Sequence, residues 1–197
     1  MEALEVSSRR RKRIRIIYRH EPYLALLGGC YLISGIMALA LLKGSIDIAL
    51  YASLFPIGTG WLVLGIKVKS RPYIIEGVVS ILAFSLGMIY LALYGVREVG
   101  LSALTLKYLI LTSLSYVLML AAYMLMTICL YMETYARPGL KYTSGAYLLW
   151  LMLMFGALPY ARLTRGYGRA ISIFECAMLV TLVVLHVINS LILIRRK

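Results

Sequence analysis

Apolar residues fall in six blocks of about twenty or more, at 23–42, 46–66, 73–95, 103–132, 142–161 and 170–194, parted by short polar stretches. In helical form, about twenty apolar residues cross the roughly 30 Å hydrocarbon core of a bilayer. The pattern predicts an all-α polytopic membrane protein, with six transmembrane helices arranged as three hairpins. The fourth block is longer than a bilayer needs, so its helix tilts or projects into water. Tyr18, Tyr23, Tyr73, Tyr94, Tyr131, Tyr135, Tyr142 and Tyr160 stand at block ends, as in an interfacial aromatic belt. The tripeptide at 38–40 looks like a signal-peptidase site, but the apolar stretch before it exceeds a signal core, so the first block reads as an uncleaved helix. A basic tail over 1–20 thus precedes a single membrane domain over 21–197.

Polar punctuation sharpens the picture. Pro22–Tyr23 and Pro72–Tyr73 align at an offset of 50 within a weak internal repeat, and Arg137–Pro138 precedes the fifth block. Proline is tolerated in the first turn of a helix, so each odd-numbered helix is expected to open with an X-Pro step. Pro56 falls inside the second block, where it should kink the helix and free a carbonyl, a candidate binding feature. Glycines at 28, 29, 35, 58, 60, 65, 77 and 87 are placed to let helices approach closely.

Charge sets the expected orientation. Of 21 Lys and Arg residues, seven fall in 9–19. With the N-terminus inside, cytoplasmic segments carry fifteen positive residues and outer segments six. The positive-inside rule then places both termini in the cytoplasm. The loop holding Arg162, Arg165 and Arg169 is the basic exception on the outer side, solvated or bound to lipid phosphate. The net charge of +13 is therefore topogenic rather than a nucleic-acid footprint, since no loop is long enough to build a basic reading face. Arg9, Arg10, Arg11, Lys12, Arg13 and Arg15 form a tail suited to anionic lipid heads or a soluble partner.

Composition excludes further classes. Hydrophobic content is 62%, with a mean hydropathy of +0.87, well above soluble domains. Cys30, Cys129 and Cys176 lie within apolar blocks, without the pairing a disulfide framework requires. Two histidines, His20 and His186, and no CxxC give no zinc or bis-histidine haem set, so no metal or cofactor is expected. The absence of glutamine, with one asparagine and one aspartate, fits a thermophilic, archaeal host.

The stretches "LLGGCYLISGIMALALL", "ALYASLFPIGTGWLVLGI" and "RPYIIEGVVSILAFSLGMIYLAL" resemble the repeated hairpins of the HdeD-like family. These are small bacterial and archaeal membrane proteins of six helices, associated in enteric bacteria with acid resistance. The likeness covers roughly residues 20–95 and rests on glycine spacing and length. It implies six helices and a stress-associated role.

Ionisable groups inside apolar blocks are functional candidates, because a mid-bilayer charge costs on the order of 2.5–3.5 kcal/mol. At about 100° per residue, Glu175 and His186 come within about 20° of one helical line, and Asn189 within about 40° of Glu175. With Ser172 they form one stripe expected to face the bundle. A separation of about 16 Å along the axis keeps Glu175 from touching His186, so their partners come from other helices. The third helix shows a stripe of Glu76, Ser80, Ala83, Gly87 and Tyr90. The fourth shows Tyr108, Thr112, Ser115, Met119, Tyr123 and Glu133. Glu76, Glu133, Glu175, His186 and Asn189 would thus stand at successive depths, as interhelical fasteners or as a path for a proton or small solute.

Catalysis is not expected. "YTSGAYLLW" with His186 is similar to the serine and histidine of rhomboid proteases, but Tyr142 stands where their motif has glycine. "FEC" lacks the motif that follows the cysteine of exosortase-like transpeptidases, and a single aspartate, Asp47, rules out a DxxD pair. The expected function is a non-catalytic, permease-like or stress-associated component of a prokaryotic cytoplasmic membrane. The alternatives are the substrate-binding membrane subunit of a small-solute importer, or a structural subunit of a larger complex. Expected partners are membrane lipids and other membrane subunits or a second copy.

Overall fold

The protein is described here by a computed structural model over residues 2–41, 46–94, 106–160 and 169–195. Side chains are described over 21–41, 46–93, 110–160 and 172–195. All regular structure among these residues is helical. The helices are α1 (Glu2–Ala40), α2 (Ile46–Val68), α3 (Arg71–Tyr94), α4 (Leu106–Met132), α5 (Leu140–Met152) and α6 (Arg169–Ile194). A 3-10 turn, Glu133–Tyr135, follows α4, and a wide π turn, Leu153–Ala157, prolongs α5. Each of the six, α4 and α5 together with the turns that prolong them, carries a stretch long and apolar enough to cross a membrane, from 20 to 26 residues. Their outer faces are apolar, with Leu93, Val117, Leu149 and Leu191 among the most exposed side chains. That inversion of a soluble surface is what lipid-facing helices present. The chain is a multi-pass membrane protein.

Each helix packs against the next, and α6 closes back on α1. Within this ring α2 is the innermost element: 72% of its membrane window is buried, against 28–44% in the other five. The glycines explain the closeness. A Cβ on Gly77 would meet the backbone nitrogen of Leu62 at 2.6 Å and the Gly58 carbonyl at 2.7 Å, so α2 and α3 touch backbone to backbone. Against α6, Gly28 faces Ser190 and Leu193, and Gly35 faces His186 and Val183. Residue numbers thus run in opposite directions along α1 and α6.

The turn between α2 and α3 is tight. Ser70 donates its N–H to the Gly65 carbonyl at 2.9 Å, while Lys69 takes a left-handed conformation with φ 58°. This is the usual glycine-favouring close of a helix, made here with a lysine.

Three expectations are corrected. Pro22 does not open a helix: α1 runs through it from Glu2. The hydrogen bond it removes belongs to the carbonyl of residue 18, outside the apolar stretch, where water can satisfy it. Only Pro72, second in α3, and Pro138, just before α5, stand near helix starts. Tyr73 stands at a span end but turns inward rather than outward, 6% exposed. Ser172 is exposed and Glu175 half-buried, while His186 and Asn189 are fully buried. The stripe on α6 leaves the interior because α1 stops at Ala40, level with roughly residue 180 by the Gly28 and Gly35 pairing.

Some expectations lie outside the described residues. These are the ends of four apolar blocks (42, 95, 103–105, 161), Arg162, Arg165 and the last two residues. The side chains of Arg9, Arg10, Arg11, Lys12, Arg13, Arg15, Tyr18, Tyr94, Tyr108 and Arg169 do as well.

A buried polar and aromatic centre as the candidate functional site

Two polar constellations lie inside the bundle. The first surrounds the proline turn of α2. Ser34 of α1 donates to the Ser53 carbonyl at 2.8 Å. The hydroxyls of Ser53 and Tyr123 sit 2.7 Å apart, and both lie over the Leu50 carbonyl, at 2.8 and 3.1 Å. One hydroxyl can donate to that carbonyl and the other to its neighbour, so the knot is satisfied. Tyr116 extends the pattern by donating to Asp47 at 3.0 Å. Pro56 sits beside it, yet α2 is continuous from Ile46 to Val68. The carbonyl that Pro56 deprives of its helical donor is that of Ala52, next to the Ser53 carbonyl that accepts from Ser34.

The second constellation lies between α1, α3, α5 and α6. The Tyr147 hydroxyl hydrogen-bonds His186 Nδ1 at 2.7 Å. Tyr31 packs its ring edge-on against His186, with centroids 5.6 Å apart, and its hydroxyl accepts from Trp61 Nε1 at 3.3 Å. Trp61 in turn packs at a tilt against Tyr73, with centroids 5.0 Å apart. Glu76 accepts from Ser80 at 2.8 Å and lies within electrostatic reach of Tyr31 and Cys129. Tyr31, Glu76, Tyr147, His186 and Asn189 are all 0% exposed.

This second group is incompletely bonded. Among the described residues, six buried side-chain atoms make no hydrogen bond of good geometry: Tyr51 Oη, which lies toward Ser115, Glu76 Oε2, Arg137 Nε, His186 Nε2 and both atoms of the Asn189 amide, which lies toward the Tyr147 hydroxyl. Four of the six therefore belong to Glu76, His186 and Asn189. Buried polar groups are nearly always paired, because an unpaired one costs about 1–3 kcal/mol. These four atoms are the main exceptions to a paired interior.

At one end of the bundle the polar groups are tied together. Tyr73 donates to Glu133, which opens the 3-10 turn after α4. Arg137, 5% exposed on its side chain, pairs with Glu21 of α1 at 3.2 Å. Glu133 is thus a fastened member of this latch, joined to the centre only through Tyr73. Of the five predicted candidates, the fold gathers Glu76, His186 and Asn189, and leaves Glu133 and Glu175 apart from them.

Sequence reasoning missed Tyr31, Trp61 and Tyr147, which supply the walls. A signal existed. Each stands five or more residues inside its apolar block, deeper than an interfacial belt. The serine of "YTSGAYLLW" does not join His186, because Ser144 donates to the Lys141 carbonyl of its own helix at 2.9 Å. No family model matches the chain, and no curated protein or solved structure matches it either.

Proposed function

We propose that this multi-pass protein is a permease-like membrane component that binds a small polar solute between Tyr31, Glu76, Tyr147, His186 and Asn189. The observation that carries this reading is the cluster of four unpartnered buried polar atoms on α3 and α6. Groups that only fasten helices work by being satisfied, as around Ser53. Groups that recognise a guest keep bonding capacity in reserve on a largely preformed, aromatic-walled site. The charge distribution supports cytoplasmic termini, which puts Glu76 and the Arg137–Glu21 latch toward the cytoplasm. The resemblance of residues 20–95 to HdeD-like hairpins supports a stress-associated setting for the same binding role.

Native mass spectrometry of the protein purified in lipid nanodiscs tests this. One small molecule per chain is expected on the wild type and on Tyr123→Phe, and none on Asn189→Leu. If no preparation carries a small molecule and Asn189→Leu is also less stable than wild type, the centre is a fastener and the reading fails.

A further inference from the structure

We propose that Glu76 is the recognition point for a small organic cation, which it takes up in exchange for a proton. The inference rests on the reading that the bundle centre binds a solute, and it adds the chemical class. Glu76 is fully buried, with one carboxylate oxygen bonded to Ser80 and the other unpartnered. A carboxylate in such a place needs a counter-charge or a proton, because an unpaired ion in a low-dielectric interior is costly.

Among the described residues, the surroundings supply no cation. From α1 the group near Glu76 is Tyr31, whose hydroxyl accepts from Trp61 of α2, a group that does not titrate. From α4 come Cys129 and, further along, Glu133. Tyr147 of α5 and His186 of α6 are linked to it through Tyr31. On α3 itself stand Tyr73, one turn before, and Ser80, one turn after. Arg137, the buried cation of the described residues, is engaged by Glu21. Everything packed around Glu76 is therefore acidic, neutral or aromatic.

The aromatic groups complete the match. Tyr31, Trp61 and Tyr73 form a connected wall, with Trp61 bonded to Tyr31 and packed at a tilt against Tyr73. Aromatic rings near a buried carboxylate suit an ammonium group, which gains from both. A neutral solute would leave the carboxylate uncompensated, and an anion would be repelled. The exchange balances: the protonated carboxyl of Glu76 releases its proton as the cation arrives, leaving one ion pair and one free proton. The site is then neutral in both states, as a position within a membrane requires.

Isothermal titration of the full-length protein in nanodiscs, with tetramethylammonium and benzyltrimethylammonium as probes, tests the proposal. These ions carry a fixed charge, so any released proton comes from the protein. Wild type is expected to bind and to release about one proton per cation, read with a pH indicator. Glu76→Gln should weaken binding by about tenfold or more and abolish proton release. Glu133→Gln should retain both. Equal binding of neutral benzyl alcohol and the ammonium probes, or cation binding without proton release in wild type, would overturn the proposal whatever the variants do. If the purified protein carries a neutral solute that Asn189→Leu removes, yet binds no ammonium probe, this inference fails while the binding role stands.

Discussion

The knot around Ser53 and the centre around His186 are built from similar materials and end in opposite conditions. Both draw on α1, both set a tyrosine hydroxyl against a polar partner at 2.7 Å, and both are fully buried. Around Ser53, each short hydroxyl finds a carbonyl or another hydroxyl within its own neighbourhood. Around His186, the groups are larger and carry more bonding capacity than their neighbours return. An imidazole, an amide and a carboxylate together present donors and acceptors on several sides, and the facing helices offer mainly ring edges. Small hydroxyls make joints. Large polar groups between aromatic walls keep bonding capacity in reserve.

The largest disturbance should come from the α2–α3 contact at Tyr51, which lies between Leu50 and Ser53 of the knot. A Cβ on Gly87 would fall 2.2 Å from the Tyr51 ring, which is fully buried and cannot swing away. Gly87→Ala is expected to cost about 3 kcal/mol, at the upper end for overpacking, and to sharply reduce monodisperse protein on size-exclusion chromatography. A wild-type profile would mean that the α2–α3 contact is looser than described.

A pair of substitutions then separates the two constellations. Tyr123→Phe removes a satisfied hydroxyl and should lower stability by about 1–2 kcal/mol, with solute binding unchanged. Asn189→Leu replaces unsatisfied polar atoms with an apolar side chain of similar size. It should raise stability by about 1 kcal/mol while binding is lost. Thermal unfolding in one detergent reads both signs. Equal losses in the two variants would erase the distinction between joint and recognition surface.

The smallest effect sits at the α2–α3 turn, away from both. Lys69 holds φ 58°, a conformation costing a non-glycine residue about 1 kcal/mol. Lys69→Gly should raise the unfolding free energy by about 0.5–1 kcal/mol and leave solute binding unaltered. A decrease in stability would show that the lysine head contributes more than its backbone costs.

The legibility of the molecule from its sequence varied with the kind of signal. Block length and spacing announced six helices, because the bilayer imposes one length on every span. The stripe on α3 was also legible: Glu76, Ser80, Ala83 and Gly87 are all buried and Tyr90 half-buried, since one face of α3 packs closely on α2. The stripe on α6 was legible only in part. Periodicity assigns a face, but not where the neighbouring helix ends, so Ser172 and Glu175 could not be told from His186 and Asn189. Pro22 misled for a similar reason. An X-Pro step marks a helix start only if the helix does not already exist upstream, and the basic residues of 9–19 gave no such sign. The walls of the site were hardest to see, because a tyrosine lining a ligand and one packing a core look alike until their depth is considered.

The unbroken course of α1 has a mechanical consequence. This one rod of 39 residues carries Ser34 into one constellation and Tyr31 and Gly35 into the other, and extends roughly 28 Å past Glu21. A shaft shared in this way cannot turn at its free end without turning at its seated end. Any body that grips the charged handle and rotates it by part of a turn would swing the Tyr31 ring across His186 and drag Ser34 from Ser53 in the same stroke.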